Sequence, residues 1–413
     1  MLNPYKQFIH LYPKDIRIET IVFIIHIFRK TFLNVGREMG DTSIAGGGTF
    51  LMLICILLNI WIIIRNNSIL NKSIKETKWF LFYTIFCLFS IFWSITGTAG
   101  FSSIIAKGAE ILTSFLAISI VLYKIKDINC CVIYILYITT IAALSGGIAQ
   151  GFLHTNSYSV SGMIGFIIAL GLKRTYNPQY INYFIIANLF CLIMGTSSGS
   201  YIAAICALLI LLSTNKKGIN LGLAIFVILI TYLIYKLAAD TIYSLVFYGH
   251  STEAIEGGTG RYEVWGQFIE AWKSSPWLGY GYVVGERNLA LMGGMEHIFS
   301  AHNGYLSILV NTGIIGSFIF SIFLLKTLFR GFSKAQTNNV AQPLAIIFFA
   351  AFCGILVNNL SYPLLGSDWN HTFLPMMSVL IIMNTWKNKI PGIPMKYILT
   401  KKYGNNKKNT MQQ

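Results

Sequence analysis

Charge is scarce in this chain. Asp, Glu, Lys and Arg make up 11% of its 413 residues, against roughly 25% in a soluble domain, which excludes a water-exposed globular fold for most of its length. Acids are scarcer than bases, with 15 Asp and Glu to 31 Lys and Arg, a formal net charge of +16. Such an excess points to nucleic acid only when the cations cluster on a soluble domain, and here they do not. They sit at the ends of apolar segments and in the tail (Lys387, Lys389, Lys396, Lys401, Lys402, Lys407, Lys408), where attraction to anionic membrane lipids accounts for them. No nucleic-acid partner is expected. Cysteines at metal-ligand or disulfide-framework spacing are also lacking. Cys55, Cys87, Cys130, Cys131, Cys191, Cys206 and Cys353 lie in or beside apolar segments, where a thiol packs as a small hydrophobe. No metal or other cofactor is expected. No small-residue cleavage site follows the first apolar segment, so no removable signal peptide is read, and no internal repeat stands out.

What is there is hydrophobic: 55% of the residues, with a mean hydropathy of +0.62. Apolar segments of about 15 to 25 residues suit α-helices crossing about 30 Å of hydrocarbon rather than barrel strands of about 10 residues. Backbone satisfaction in lipid then demands a helical bundle. The expected spans are 47–64, 79–95, 101–123, 130–149, 158–172, 180–196, 199–213, 218–236, 301–329, 341–362 and 371–386. A weaker first one, 16–35, is interrupted by Glu19, His26, Arg29 and Lys30 and reads as partly interfacial. The fold class is therefore an all-α integral membrane protein of about twelve transmembrane helices. Residues 1–236 hold helices one to nine, 237–300 one large outer loop, 301–386 helices ten to twelve, and 387–413 a basic cytoplasmic tail of disordered composition.

The loops alternate in charge. Arg65, Lys72, Lys75 and Lys78, then Lys124 and Lys126, Lys173 and Arg174, Lys216 and Lys217, and Lys326, Arg330 and Lys334 mark every second connection, while the intervening ones (96–100, 145–157, 197–198, 363–370) have no Lys or Arg. The positive-inside rule makes the basic set and both termini cytoplasmic and turns the large loop outward. Trp79 and Trp93 bracket the third span as interfacial anchors do. Lys107 and Glu110, three apart in the fourth, are either an internal ion pair or functional charges.

The outer loop holds the acids Asp240, Glu253, Glu256, Glu263, Glu270, Glu286 and Glu296. Thr259 and Gly260 can cap a helix beginning near Arg261, whose apolar face is Tyr262, Trp265, Phe268, Ile269 and Trp272. Such a helix would lie on the outer membrane surface. Its N-terminus beside Arg261 is suited to phosphate; the alternative is that Arg261 pairs with a loop carboxylate. Pro276, Gly279 and Gly281 then turn the chain. Trp277, Tyr280 and Tyr282 can stack on sugar rings or pack at the interface. His302 opens the tenth span with Tyr305 a turn further on; an imidazole there either takes a proton from a hydroxyl or bonds the helix-end backbone.

Gly260-Arg261 followed by Trp265, then Ser275-Pro276-Trp277-Leu278-Gly279-Tyr280-Gly281, then Ala301-His302-Asn303-Gly304-Tyr305-Leu306 with Asn311-Thr312-Gly313-Ile314-Ile315-Gly316, resembles the O-antigen ligase and polymerase superfamily over about 258–316. The resemblance implies a GT-C-like membrane glycosyltransferase of the bacterial cytoplasmic (inner) membrane. Such an enzyme moves glycan from an undecaprenyl-diphosphate carrier to a sugar hydroxyl. It places Arg261 on the carrier diphosphate and His302 on the acceptor hydroxyl; Arg287, Trp265, Tyr280, Tyr305 and Ser198 are the substrate-binding residues expected around them. Many members carry Ser-Arg-Gly at the outer end of an earlier span. Here that stretch is Gly195-Thr196-Ser197-Ser198-Gly199-Ser200, with Ser198 in the arginine's place and Arg287 as the candidate second cation. The expected function is a polymerase joining lipid-linked repeat units into O-antigen, capsule or exopolysaccharide, with a flippase and a chain-length regulator as partners. The alternatives are a ligase acting on lipid A-core, and a lipid-linked sugar transporter or flippase, though the related halves of a transporter are not found.

Overall fold

The computed structural model describes residues 16–32, 45–96, 98–148, 155–178, 180–215, 218–219, 261–292, 300–337, 342–366 and 372–386. Each expected span within them coincides with a helix. The ninth, 218–236, lies outside the described residues beyond Ile219, as do Glu296 and the basic tail. In chain order the helices are α1 (Ile16–Phe32), α2 (Ala45–Arg65), α3 (Asn67–Ile74), α4 (Lys78–Phe89, continued by a 3-10 turn Ser90–Phe92), α5 (Thr98–Lys124), α6 (Ile128–Ile148), α7 (Thr155–Tyr176), α8 (Ile181–Met194) and α9 (Ser198–Leu212). Then follow α10 (Arg261–Lys273), α11 (Val284–Met292), α12 (Gly304–Gln336), α13 (Gln342–Asn358) and α14 (Phe373–Thr385). The single strand pairing described is two residues long, Thr214–Asn215 against Gly218–Ile219.

Gly100–Lys124, Ile128–Ile148 and Gly304–Gln336 are long and apolar enough to cross a membrane, and the pair Thr49–Arg65 and Asn67–Ile74, bent by 98°, makes a fourth if it is one span. Other apolar helices are shorter. α14, with 13 residues, rises only about 20 Å. The runs 79–95, 180–196, 341–362 and 371–386 overstate helix length, because they continue into turns, whereas 101–123, 158–172 and 301–329 fall short of their helices. Large side chains exposed at helical spacing on α2 (Phe50, Leu53, Leu57, Ile64) and α8 (Tyr183, Ile186, Phe190, Ile193) are what a multi-pass membrane protein presents to lipid.

The core lies among α6, α7, α13 and α14, and every residue of α14 is buried. α7 crosses α8 at Gly162, where a Cβ would stand 2.7 Å from Leu192 N and 2.8 Å from Asn188 O, so only glycine lets the backbones approach this closely. The expected interfacial character of the first span is corrected. α1 turns Glu19, His26 and Arg29 inward, each buried, and leaves Ile18, Ile21, Ile25 and Phe28 outside. Glu19 pairs with Lys124 at 3.0 Å. Arg29 pairs with Glu110, so Glu110 has a partner on α1 that its own helix did not reveal. The polar residues that break the hydropathy of 16–35 are the ones the bundle has enclosed, which is where a charge inside a membrane finds a counter-charge.

One end of the bundle gathers the basic connections. Beside Lys124 and Glu19, Arg174 donates to the Leu211 carbonyl, and Arg330 binds Glu76 at 2.6 Å and Asn384 at 3.0 Å. Lys326 lies over the Trp79 ring at 5.1 Å. The helix ends bearing Trp93, Ser198 and His302 are the opposite ends of antiparallel neighbours. A reporter active only outside the cytoplasm is therefore expected to be active when fused at Glu256 and silent after Lys402. The reverse pattern would place the candidate site on the wrong side of the membrane.

Candidate functional site

The site is built on a break in α12. Gly313 has φ +62 and ψ −167, which interrupts the helix nine residues after it starts at Gly304. A broken helix frees carbonyls before the break and amides after it, and buried backbone groups must be paired. The turn 275–281 supplies the partners. Tyr280 N donates to Val310 O at 3.0 Å and Gly281 N to Asn311 O at 3.0 Å, while Ile314 N donates to Pro276 O at 2.8 Å and Ile315 N to Trp277 O at 3.2 Å. The loop motif and the helix motif, some thirty positions apart in sequence, are thus one joint. Gly279 (φ +68) and Gly281 (φ +105) allow the turn to close. The far side of the turn is anchored on α4: Trp93 Nε1 donates to Leu278 O at 2.9 Å, Ile95 N to Tyr280 O at 3.0 Å and Tyr282 N to Ser90 Oγ at 2.9 Å. A Cβ at Gly313 would overlap the Trp277 carbonyl and lie 2.6 Å from Leu278 N. Gly313→Ala is expected to cost about 2–4 kcal/mol of stability, from left-handed strain plus a backbone clash. Gly266 on α10 meets nothing within 4 Å, so Gly266→Ala should instead stabilise by about 0.5–1 kcal/mol. Thermal unfolding of the two variants in detergent compares them directly; equal midpoints would mean that the joint does not hold the fold.

α10 begins at Arg261, as the capping residues predict. Its apolar face docks on the protein. Phe268 is 1% exposed and packs with Ala290, Ala301 and Val310, flanked by half-buried Val264, Trp265, Trp272 and Tyr280. Burying Phe268 fully contributes about 1.5–3 kcal/mol. The expectation of a helix laid on the membrane surface is corrected accordingly: the face meets α11 and α12, and of Trp265, Phe268, Ile269 and Trp272 only Ile269 is exposed. Each of the three aromatics assigned to substrate has a structural bond, two of them in this region. Trp265 Nε1 donates to Ala301 O at 2.7 Å, and the Tyr280 hydroxyl donates to Ala271 O at 2.6 Å. Trp277 is 64% exposed and Tyr282 is buried.

His302 sits immediately before α12 with φ +51, a conformation that costs most non-glycine residues roughly 1 kcal/mol or more. Its amide donates to Ser300 Oγ at 3.1 Å, and its side chain is half-buried. The helix cap is Asn303, whose side chain accepts from Tyr305 N at 3.0 Å and Leu306 N at 3.1 Å, so capping does not require the imidazole. Gly304 N donates to Asn359 O at 2.8 Å, and Tyr305 OH to Leu356 O at 3.0 Å. The same end of α13 holds the start of α9, for Asn358 Nδ2 donates to Ser200 Oγ at 2.9 Å and a Cβ at Gly199 would overlap the Ser361 hydroxyl. Ser198, the first residue of α9 with Ser197 as its cap, is thereby brought to the same end of the bundle as His302. Two more strained residues border this region, Thr196 (φ +43) and Val283 (φ +67).

Sequence reasoning passed over Glu286. It is buried on α11, where its carboxylate accepts from Ala301 N and, at 3.0 Å, from Ser307 Oγ, while its own amide donates to Asn311 Oδ1 at 2.9 Å. Burial raises its carboxyl above the ordinary range, against the lowering pull of the Ala301 amide and of Ser307, Ser300 and Asn311. A signal existed: Glu286 stands four residues from Tyr282 and from Ala290, both on the buried side. Arg287 follows it and is exposed. Below Tyr305, α12 and Leu356 line an apolar cavity of about 430 Å³ with Ile308, Leu309 and Phe320. Among the described residues no group of three or more His, Cys, Asp or Glu is placed to hold a metal.

Residues 183–321 match the family model of the O-antigen ligases, a stretch that contains Ser198, Arg261, Trp265, Tyr280, Arg287, His302 and Tyr305. The chain is also 25% identical over 179 residues to the ComP-specific O-oligosaccharyltransferase of Acinetobacter baylyi. That likeness covers 40% of this chain and 32% of the relative, so the chain matches about a third of that protein's length.

Proposed function

We propose, from the match of residues 183–321 to the O-antigen ligase family model, that the chain is a membrane glycosyltransferase moving a lipid-linked oligosaccharide onto a hydroxyl acceptor. The donor is an undecaprenyl-diphosphate-linked glycan of the bacterial cytoplasmic membrane, used at its outer face without metal or nucleotide sugar. The observation that carries this reading is the strained histidine at the head of α12, in a protein whose α10 starts with a cation. Arg261 and the free amides of that helix start hold the diphosphate. His302 takes the proton of the acceptor hydroxyl as its oxygen attacks the anomeric carbon; the sugar–phosphate C–O bond breaks and the electron pair leaves on undecaprenyl diphosphate. Trp265, Tyr280 and Tyr305 offer ring surface to the glycan, and Arg287 adds the second cation that Ser198 does not provide. The break in α12 is filled by the chain's own backbone, which favours a fixed reaction site over the gated path of a transporter.

Within this class the reading is a polymerase, whose acceptor is a second lipid-linked repeat unit, working beside a flippase and a chain-length regulator. The ligase reading has the description of the matched family and the name of the Acinetobacter relative on its side. Purified protein given only lipid-linked repeat unit decides between them. A ladder of longer glycans supports the polymerase, whereas product that forms only after a separate acceptor is added supports the ligase. No transfer under either condition, with the protein folded, refutes both.

A further inference from the structure

Ala301, the residue before His302, is fully buried, and both faces of its peptide groups are held. Its amide donates to the Glu286 carboxylate, and its carbonyl accepts from Trp265 Nε1 at 2.7 Å. Glu286 in turn takes the Ser307 hydroxyl at 3.0 Å, one turn into α12, and its amide is fixed by Asn311 Oδ1 at 2.9 Å. Immediately after this clamp the chain turns left-handed at His302 and is caught again at Gly304 N by Asn359 O at 2.8 Å. A non-glycine residue holds a strained backbone only where its surroundings over-determine it. Trp265 from α10 and Glu286 from α11 both reach this set by their side chains, and Glu286 also ties it to α12 through the Ser307 hydroxyl. Glu286 is also buried on α11 among polar partners, which has a cost for a carboxylate unless every bond is made.

We propose that Glu286 is the positioning residue of His302: by gripping the Ala301 amide and the Ser307 hydroxyl it sets the direction in which the imidazole meets the acceptor. This assignment rests on the transfer reaction proposed above. Glu286 does not touch substrate; it acts through the backbone of Ala301. What matters is then the reach of its oxygen and not its charge, and this orders the variants. Glu286→Gln keeps a carbonyl oxygen at the same reach and can still accept from Ala301 N. Glu286→Asp keeps the charge but is one methylene short. Glu286→Ala removes the acceptor altogether.

The test is turnover of lipid-linked glycan by the full chain in detergent or vesicles, with donor binding and thermal unfolding measured on each variant. Glu286→Gln is expected to keep kcat within about 5-fold of wild type, and Glu286→Asp and Glu286→Ala to lose on the order of 10²-fold in kcat, the usual consequence of a misplacement near 1 Å. Donor binding should stay within about 3-fold, since the diphosphate is held elsewhere. On a His302→Gln background the loss from Glu286→Asp should shrink to about 2-fold or less, because a positioning residue has nothing left to position. The opposite order, with Glu286→Asp active and Glu286→Gln dead, would assign a charge role and overturn the proposal. So would a loss confined to KM for donor, or near-wild-type kcat in Glu286→Ala. If Glu286→Ala does not accumulate folded, the Gln and Asp pair alone decides. Failure of wild-type protein to transfer glycan is a separate result, which removes the proposed function and not this geometry.

Discussion

His302→Ala and His302→Gln each lose roughly 10²–10⁴-fold in turnover while donor binding survives, the range expected when a general base is removed. The expectation comes from position. The imidazole stands at the head of α12, half-buried, with the cap of the helix already supplied by Asn303 through bonds to Tyr305 N and Leu306 N. A histidine that merely closed the helix end could be replaced by an amide side chain with little loss. His302→Asn sharpens the comparison, because asparagine tolerates the left-handed backbone at φ +51 better than most residues and so preserves the turn while deleting the base. The assay converts purified lipid-linked repeat unit to longer or transferred glycan, with donor binding measured separately on each variant. Near-normal turnover in His302→Gln or His302→Asn would remove the base assignment and leave Tyr305 as the candidate to examine next.

Arg261→Ala is expected to abolish transfer to within the limit of detection, a loss of at least about 10²–10³-fold of the kind seen when one donor to a developing anion is deleted. Arg261→Lys restores little. A lysine presents a point charge, whereas a diphosphate is matched by the planar, two-pronged guanidinium. The residue opens a 13-residue helix, so the partial positive charge of the helix start adds to its own. Donor binding should fall with turnover here, unlike in the His302 variants, and that split tells the two roles apart. Arg287→Ala tests whether the second cation lies on α11. A severe loss places Arg287 on the diphosphate beside Arg261; full activity at normal expression takes it out of the site. Binding of a labelled polyprenyl diphosphate, with and without its glycan, is the measurement that separates phosphate contact from sugar contact.

Membrane class and helical architecture followed from composition and segment length, and helix positions followed from apolar runs to within a few residues. The start of α10 at Arg261 was readable from Thr259-Gly260 and the spacing of Trp265, Phe268 and Trp272. The order of the three motifs pointed to the superfamily that residues 183–321 match. These are local properties: hydrophobicity, periodicity and capping act within a few turns of chain and leave their mark on adjacent positions.

What only the tertiary structure decided is which surfaces meet. Periodicity marked one face of α10 as apolar but was equally satisfied by lipid or by protein, and Phe268 settled against Ala290, Ala301 and Val310. Glu110 was read beside Lys107 three residues away, and the fold brings it a counter-charge from Arg29, 81 positions distant. The loop 275–281 and the break at Gly313 read as two separate motifs, although each exists to satisfy the backbone of the other. Glu286 looked like one more loop acid until burial and its bonds to Ala301 and Ser307 singled it out. A side chain's own sequence neighbourhood encodes how much it should be buried. Its partner is chosen by the packing of helices that are distant in the chain, and that choice is made only when the whole bundle closes.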